Sequence, residues 1–279
     1  MIDFIALQKI EGYIPPIEKI QKQQIDAQGE IIMKKLQNRI AIVTGASQGI
    51  GKAMAWAFGR EGASVVVTAR STEAISDVAD KVCQEAGVET LAVTANLENE
   101  KDIERIAEET LDRFGHIDIL VNNAGIIHPR VNLVDFDTEM WRQVVEVNLI
   151  AVALLTKAVL PSMIENESGK IINISSIGGR KGGKGRTAYR VTKAGLISLT
   201  ESVAAEVKSY KIDVNCICPA GVDTEGYRKA FGSRGREENP KLIRPEEIAE
   251  LAVYLASDAS SAITGTSIDA FGKMNPLFQ

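Results

Sequence analysis

The sequence predicts an α/β fold in which a doubly wound, parallel sheet of seven strands carries helices on both faces. Short apolar runs alternate with longer segments of helical periodicity across residues 38–269. The first apolar run leads directly into a glycine-rich turn, as at the start of a dinucleotide-binding unit. No repeat, linker or low-complexity block interrupts the alternation in the sequence, so residues 36–279 are predicted to form one catalytic domain.

The first 35 residues do not follow this pattern. The pair Pro15-Pro16 blocks one continuous helix, and a stretch rich in Gln and Lys follows it. We expect residues 1–35 to be a poorly ordered N-terminal extension, with a partner-binding arm as the alternative.

Strands and helices are placed by hydrophobic periodicity. The helix that contains Tyr189 and Lys193 is predicted to end near residue 208, and Pro245 suits the first turn of the last helix. The predicted strands are residues 40–43, 64–68, 90–95, 117–121, 170–174, 212–217 and 267–268. Further helices are predicted after residue 51 and at residues 71–86, 98–114, 137–165 and 245–256.

The turn after the first strand reads TGASQGIG over residues 44–51. Gly45 and Gly49 allow the backbone to turn and approach a pyrophosphate, and Gly51 allows close packing of helix on strand. The N-terminus of the following helix favours an anion. The turn therefore predicts a Rossmann-like dinucleotide site, although its spacing is G-x-x-x-G-x-G rather than G-x-G-x-x-G.

The same turn contains a second motif. Gly45-Ala-Ser-Gln-Gly49 matches the nucleophile elbow of hydrolases, which would make Ser47 a nucleophile. That chemistry needs a histidine late in the chain, whereas the only histidines are His116 and His128. The hydrolase interpretation is therefore disfavoured.

The end of the second strand carries a basic residue. An acidic side chain there usually meets a free ribose 2′-hydroxyl, but the sequence has Arg70 and no carboxylate before Glu73. A guanidinium suits a 2′-phosphate. Arg70 therefore predicts that NADP(H) is preferred, with NAD(H) possible.

A tyrosine and a lysine are spaced for acid–base chemistry. Tyr189 and Lys193 are four residues apart, so on a helix their side chains lie on one face. An ammonium beside a phenol lowers its pKa, and the phenol can then exchange a proton with a carbonyl or alcohol oxygen.

These motifs, in this order, resemble the short-chain dehydrogenase/reductase family over about residues 38–269, and among its members the β-ketoacyl-carrier-protein reductases. The resemblance rests on residues 44–51, Asn122-Asn-Ala-Gly125, Asn148, Ser176 and Tyr189-x-x-x-Lys193. Ser176 is preferred over Ser175 because it precedes Tyr189 by thirteen residues, the usual interval in the family.

The resemblance implies hydride transfer between a nicotinamide cofactor and a carbonyl or a primary or secondary alcohol. Tyr189 would be the general acid/base, Lys193 would lower its pKa and hold the nicotinamide ribose, and Ser176 would bind the substrate oxygen. Asn148 would hold a water that links Lys193 to solvent. The implied cofactor contacts are Gly45, Ser47, Gln48, Gly49, Ile50, Gly51, Arg70, Ser71, Asn96, Leu97, Asn123, Ala124, Gly125, Tyr189, Lys193, Pro219, Val222 and Thr224.

Three positions depart from the family pattern. Ala220 replaces a usual glycine, and Asn96 replaces a usual aspartate near the adenine. Residues 268–273 differ from the common C-terminal ending, which often packs at a subunit interface. A homotetramer or homodimer is expected.

A basic loop lies between Ser176 and Tyr189. Residues 178–186 carry four basic side chains, and His128 and Arg130 are expected on the same rim. On an acidic protein they suggest a local positive funnel and a small anionic substrate, unless the loop is merely solvated. The four basic residues are Arg180, Lys181, Lys184 and Arg186.

Other substrates stay open. The positions that would dock an acyl-carrier protein are Glu167 and Tyr210, which disfavours a 3-oxoacyl-[acyl-carrier-protein] reductase, although Lys208 and Lys211 are adjacent. An NAD-dependent sugar or polyol dehydrogenase is a further alternative. A non-catalytic dinucleotide sensor is disfavoured because Tyr189 and Lys193 are both present.

Composition limits the remaining classes. The net charge of −5 and pI of about 5.3 do not favour nucleic acid or a membrane surface. Cys83, Cys216 and Cys218 fit a reducing compartment, and no metal site is expected. The sequence shows neither an apolar run of about 18 residues nor a signal peptide, so a cytoplasmic enzyme is predicted.

Overall fold

A computed structural model describes residues 34–274. The predicted N-terminal extension lies, except for its last two residues, outside the described part of the chain and stays a prediction. The seven strands are β1 (Ile40–Thr44), β2 (Ser64–Ala69), β3 (Thr90–Thr94), β4 (Ile119–Asn122), β5 (Gly169–Ile174), β6 (Ile212–Pro219) and β7 (Ser267–Ala270).

The helices alternate with these strands. The described residues form α1 (Gly49–Arg60), α2 (Thr72–Ala86), α3 (Glu100–Phe114), α4 (Thr138–Val145), α5 (Ala151–Glu165), α6 (Ile177–Arg180), α7 (Thr187–Val207), α8 (Glu225–Phe231) and α9 (Pro245–Ala256).

All seven strands are parallel, in the order β3-β2-β1-β4-β5-β6-β7. The predicted doubly wound sheet is therefore confirmed. The strand order reverses at β1, which pairs with β2 on one side and β4 on the other. Ligands of open α/β sheets bind at the carboxyl ends of the strands at such a switch point.

The sheet buries both faces because successive side chains on each strand point in opposite directions. Val43 and Val67 pack in one apolar layer with Phe58 of α1. Ile42 and Val66 pack in the opposite layer with Leu155 of α5. Together the two layers hold the carboxyl ends of β1, β2 and β4 as a rigid edge.

The structure differs from the prediction in three helical segments. The predicted helix over residues 137–165 contains a π-helical turn at Glu146–Ile150, between α4 and α5. Two short helices, α6 and α8, were not predicted. The segment between β6 and α9 therefore begins with a helix.

One helix in the described part of the chain, Thr138–Glu165, is long and apolar enough to cross a membrane by length and composition alone. Its α5 part packs against α3 and contributes Leu155 to the core. Buried core helices meet the same test.

Candidate active site

The glycine-rich turn is closely packed at the end of β1. Gly45 and Gly49 have φ of +64° and +55°, a left-handed conformation that other residues rarely adopt. A Cβ on Gly51 would lie 2.3 Å from the carbonyl oxygen of Gly45. The backbone therefore requires glycine at these positions.

The turn is tied to the end of β4 by two side chains. Nδ2 of Asn123 donates to the carbonyl oxygens of Thr44, at 2.9 Å, and Gly45, at 3.3 Å. Oγ1 of Thr44 accepts the amides of Asn123 and Ala124 at 2.9 and 3.0 Å. These bonds hold the two strand ends on either side of the switch point in a fixed geometry.

A cavity of about 420 Å³ runs along the carboxyl ends of β1, β2 and β3. Predicted cofactor residues that line it are Gly45, Ser47, Gln48, Gly49, Ile50, Arg70, Ser71, Asn96, Leu97, Asn123, Ala124, Gly125 and Thr224. Gly51 does not line the cavity and instead allows the turn to pack. Thr68, Ala95, Ile126 and Val147 also line the cavity but were not predicted, although each ends a predicted strand or adjoins a recognised motif.

The N-terminus of α1 faces this cavity without a side-chain cap. Gln48 provides no capping hydrogen bond, and the first turn contains no acidic residue. By contrast, α2, α3 and α4 are capped by Ser71, Asn99 and Asp137. Uncapped amides beside left-handed glycines form a cradle that fits the pyrophosphate of a dinucleotide.

The end of the cavity beside β2 contains a cation without an ion-pair partner among the described residues. Arg70 follows β2, is exposed and forms no ion pair within residues 34–274. Asn96 is turned toward its own loop, because its Oδ1 accepts the amide of Glu98 at 3.2 Å. Ser71 Oγ caps α2 by accepting the amide of Ala74 at 3.4 Å.

A second cavity, of about 240 Å³, shares Asn123, Gly125 and Thr224 with the first. The predicted catalytic residues Ser176, Tyr189 and Lys193 line it, as do the predicted cofactor contacts Pro219, Val222 and Thr224. The loop after β5 and the first turns of α7 bring these groups together.

Lys193 is buried and bonded to the end of β5. Its Nζ donates to the carbonyl oxygen of Ile174 at 2.7 Å and lies 5.8 Å from the centroid of the Tyr189 ring. Burial lowers the pKa of Lys193 from 10.5 to about 8, and the thiols of Cys216 and Cys218 oppose this shift.

Burial raises the pKa of the Tyr189 phenol, and a hydrogen bond with Ser176 opposes that shift. The positive charges of Arg186 and Arg190 also oppose it. The sequence predicted a charge effect of Lys193 on this phenol but not the effect of these two arginines. Both lie within three residues of Tyr189, so their position was the available signal.

The two adjacent serines have different partners. Ser175 is buried, and its Oγ donates to the carbonyl oxygen of Lys193 at 2.6 Å. Oγ of Ser176 accepts the amide of Gly178 at 2.9 Å and faces the cavity with Tyr189. This geometry fits the preference for Ser176 as the residue that meets a substrate.

Asn148 is fully buried in the π-helical turn. Its Oδ1 accepts the amide of Ile126 at 2.7 Å, and its Nδ2 donates to Ile126 O at 3.1 Å and Thr192 Oγ1 at 3.3 Å. A Cβ on Gly125 would be 3.3 Å from this amide oxygen and 3.5 Å from Lys193 Nζ, so the two residues flank Gly125. The predicted water relay stays a prediction.

His128 supports the start of α7. It is buried, and its Nε2 accepts the backbone amide of Tyr189 at 3.3 Å. Its Nδ1 therefore carries the proton and donates to the carbonyl oxygen of Pro129 at 2.6 Å. Burial lowers the pKa of His128, so this ring is neutral at pH 7 and holds the tyrosine in place.

The basic loop divides into two sets. Arg180 forms an ion pair with Asp269 at 2.7 Å and donates to Ser267 O, so it is held at β7. Lys184 and Arg186 line the second cavity with Arg130 and Arg190. The predicted positive rim therefore includes only part of the loop.

Comparison with known proteins gives a consistent result. The family model described as short chain dehydrogenase matches residues 39–234. A 3-oxoacyl-[acyl-carrier-protein] reductase of Synechocystis is 38% identical over 87% of this chain and 99% of its own length. Dehydrogenase/reductase SDR family member 6 of Danio rerio is 36% identical over 85% of this chain and 97% of its own length.

Solved structures agree with the fold. A 3-ketoacyl-(acyl-carrier-protein) reductase from Brucella melitensis complexed with NADH superposes with a TM-score of 0.79 at 33% identity, covering 86% of this chain and 99% of that one. Levodione reductase has a TM-score of 0.79 at 29% identity, covering 84% of this chain and 96% of that one.

Proposed function

The chain belongs to the short-chain dehydrogenase/reductase family and is an NAD(P)-dependent oxidoreductase, and from this premise we propose that it interconverts a small anionic carbonyl compound and its alcohol with NADP(H) as the preferred cofactor. One observation carries the proposal. Tyr189 and Ser176 face a cavity of about 240 Å³ that opens beside the dinucleotide-shaped groove. The nicotinamide cofactor supplies or accepts the hydride.

In the proposed mechanism Tyr189 exchanges the proton. The raised pKa keeps the phenol protonated at neutral pH in the ligand-free protein, so it can donate to the oxygen of a carbonyl undergoing reduction. Ser176 donates a hydrogen bond to the same oxygen and stabilises the charge that develops there. Both groups must act on one atom, and they line the same cavity.

Lys193 and Asn148 complete the proposed site. The Lys193 ammonium would hold the nicotinamide ribose. It would also stabilise the phenolate form of Tyr189, which is the form that accepts a proton from an alcohol. Asn148 positions the segment that contains Gly125 and Ile126 through its bonds to Ile126. We propose that it also holds the water through which Lys193 exchanges protons with solvent.

The cofactor preference rests on Arg70. The guanidinium is exposed, lines the groove at the end of β2 and has no carboxylate partner in the described chain. These properties suit a 2′-phosphate. NAD(H) is the alternative, since the similar reductase from Brucella melitensis was solved in complex with NADH.

A 3-oxoacyl-[acyl-carrier-protein] reductase is the second candidate, favoured by the similarity to reductases of that kind from Synechocystis and Brucella melitensis. The surface positions expected to dock the carrier carry Glu167 and Tyr210. Glu167 is paired with Lys211 at 3.5 Å, which leaves little net positive charge on that surface. A carrier-linked substrate should be turned over far better than the same acyl group on a short thiol if this candidate is correct.

The test is turnover by Tyr189→Phe. We expect the variant to bind NADPH with unchanged affinity and to lose oxidation of NADPH by carbonyl substrates. Retained turnover would show that the proton comes from another group. A homotetrameric or homodimeric assembly and a cytoplasmic location stay predictions.

A further inference from the structure

Arg186 is a buried cation with unused donors. The residue is only 5% exposed, although it lines the second cavity. Its Nη2 donates to the carbonyl oxygen of Ala230 at 3.0 Å. Its Nε and Nη1 have no hydrogen-bond partner in the described part of the chain. Burying two unsatisfied donors of a charged group is costly unless a ligand or water meets them.

No carboxylate among the described residues neutralises this charge. Within residues 34–274, Arg186, Arg130, Arg190 and Lys184 form no ion pair, although all four line one cavity. Burial lowers the pKa of Arg186, and the charges of Arg130 and Arg190 lower it further. Such a group of like charges is stabilised by an anion that enters the cavity.

The guanidinium of Arg186 lies over an aromatic ring of α8. Its Cζ lies 4.7 Å from the centroid of the Phe231 ring, and Cζ of Arg130 lies 5.8 Å from the same ring. Tyr227 stacks on Phe231 with a centroid distance of 4.5 Å. Nη2 carries a second N–H besides the one donated to Ala230, and together with the neighbouring free Nε or Nη1 it can form a two-donor fork that matches the two oxygens of a carboxylate.

We propose that Arg186 selects the substrate by binding the carboxylate of a short oxo acid or hydroxy acid. Arg186 directly precedes α7 and lies three residues before Tyr189, and both side chains line the same cavity. The carboxylate and the reacting carbonyl therefore belong to one short molecule. The inference rests on the proposed function and specifies its substrate.

The cavity volume also favours a short substrate. It is about 240 Å³, below the roughly 300–1,000 Å³ of most small-molecule sites. Pro219, Val222 and Thr224 line part of it and are proposed to contact the nicotinamide. The space left beside Tyr189 suits a few carbon atoms and a carboxylate.

The opposing explanation is that Arg186 only anchors α8 through Ala230 and Phe231. The two roles are separated by substrate pairs. Each pair is an unbranched oxo acid and its primary amide, with the carbonyl one, two or three bonds from the acid carbon. The amide keeps the shape and removes the charge. A purely structural arginine would affect both members of a pair equally.

Kinetics of Arg186→Met should show a selective loss. We expect kcat/KM for the preferred oxo acid to fall roughly tenfold to a hundredfold, mainly through KM, and that for its amide to stay within about twofold. Arg186→Lys should recover part of the loss, because it keeps the charge without the fork. The matched control is Arg180→Met, which removes a cation of the same loop that is paired with Asp269; it should leave the acid-to-amide ratio unchanged.

Equal losses for acid and amide in Arg186→Met would overturn the proposal, as would equal kcat/KM for both in the wild type. A binding titration separates failure of the role proposed for Arg186 from failure of the proposed function. Oxo acid binding to NADP-loaded Tyr189→Phe should be detectable by calorimetry and lost when Arg186→Met is added. Binding without turnover in the wild type would refute the reductase alone, and no binding would refute the role of Arg186.

Discussion

Thr44 and Thr68 lie opposite each other in register across β1 and β2, yet only the Thr44 hydroxyl is hydrogen bonded. Both residues are buried, with 2% and 1% exposure. Thr44 Oγ1 donates to Val121 O at 3.2 Å and accepts two amides from the start of the loop after β4. Thr68 Oγ1 has no partner among the described residues, although Thr68 lines the dinucleotide groove.

This difference predicts that the same substitution will affect stability strongly at Thr44 and little at Thr68. Thr44→Val should lower the free energy of unfolding by about 2 kcal/mol, because two partly buried amides lose their acceptor. Thr68→Val should change it by no more than about 0.5 kcal/mol, or stabilise the protein, since it removes an unsatisfied hydroxyl. Urea unfolding of both variants measures the difference. Equal losses would mean that the Thr44 hydroxyl does not hold the strand ends together.

The buried ammonium of Lys193 predicts a pH-dependent cost. Its pKa is lowered by burial from 10.5 to about 8, so the unfolded chain binds this proton more tightly than the folded protein. The cost is fully present below pH 8 and disappears as the pH rises toward 10.5. We expect Lys193→Met to raise the free energy of unfolding at pH 7 by up to roughly 3 kcal/mol while abolishing turnover.

Urea unfolding at pH 7 and pH 10 tests this expectation. The advantage of Lys193→Met over the wild type should shrink at the higher pH. Lys157→Met, which removes an exposed lysine of α5, serves as the control and should show no such trend. A variant less stable than wild type at pH 7 would mean that the bond to Ile174 outweighs the cost of burial.

Most of the fold could be predicted because buried parallel strands are short runs of β-branched apolar residues, as in β2. The π-helical turn around Asn148 could not, because one altered hydrogen-bond register leaves the composition of a helix unchanged. Helix α8 was missed because its sequence is polar and none of its residues is buried. It is supported by the Thr224 cap, at 3.0 Å to the Tyr227 amide, and by Arg186.

The site was predicted less evenly. Motif spacing predicted that Ser176, Tyr189 and Lys193 lie together, and all three line one cavity. The spacing was informative because Ser176 follows the end of a strand and Tyr189 and Lys193 are about one helical turn apart. The basic loop could not be divided from sequence alone. Arg180 and Arg186 are six residues apart and chemically identical, and only folding brings Asp269, 89 residues away, beside Arg180. Arg186 meets no carboxylate in the described chain, which gives it a different chemistry.

The packing of Gly51 predicts that a single methyl group will disturb the dinucleotide groove. A Cβ there would lie 2.3 Å from Gly45 O and 2.5 Å from Asn123 Nδ2, so the turn or α1 must move. We expect Gly51→Ala to destabilise the protein by about 1–3 kcal/mol and to weaken NADPH binding more than tenfold. Gly182→Ala is the matched control, because a Cβ there meets nothing within 4 Å. Unchanged NADPH affinity in Gly51→Ala would show that the turn does not cradle the cofactor.

The exposed guanidinium of Arg70 predicts the cofactor preference. If it meets a 2′-phosphate, Arg70→Ala should weaken NADPH binding roughly 10- to 150-fold, the value of a lost charge-assisted bond of about 1.5–3 kcal/mol. NADH affinity should hardly change, because that cofactor has a free 2′-hydroxyl. Fluorescence titration at fixed salt measures both, with Arg60→Ala as a control that removes an exposed arginine at the end of α1.

The relative affinities of the wild-type protein for NADPH and NADH decide which substrates should be tested first. Tighter binding of NADPH by the margin that Arg70→Ala removes would favour a reductase, to be screened first against short oxo acids. Binding of NADH as tight as that of NADPH would refute the role of Arg70, because a 2′-phosphate beside an unpaired guanidinium cannot be energetically neutral in this geometry. Oxidation of sugars and polyols with NAD would then be the first activity to measure.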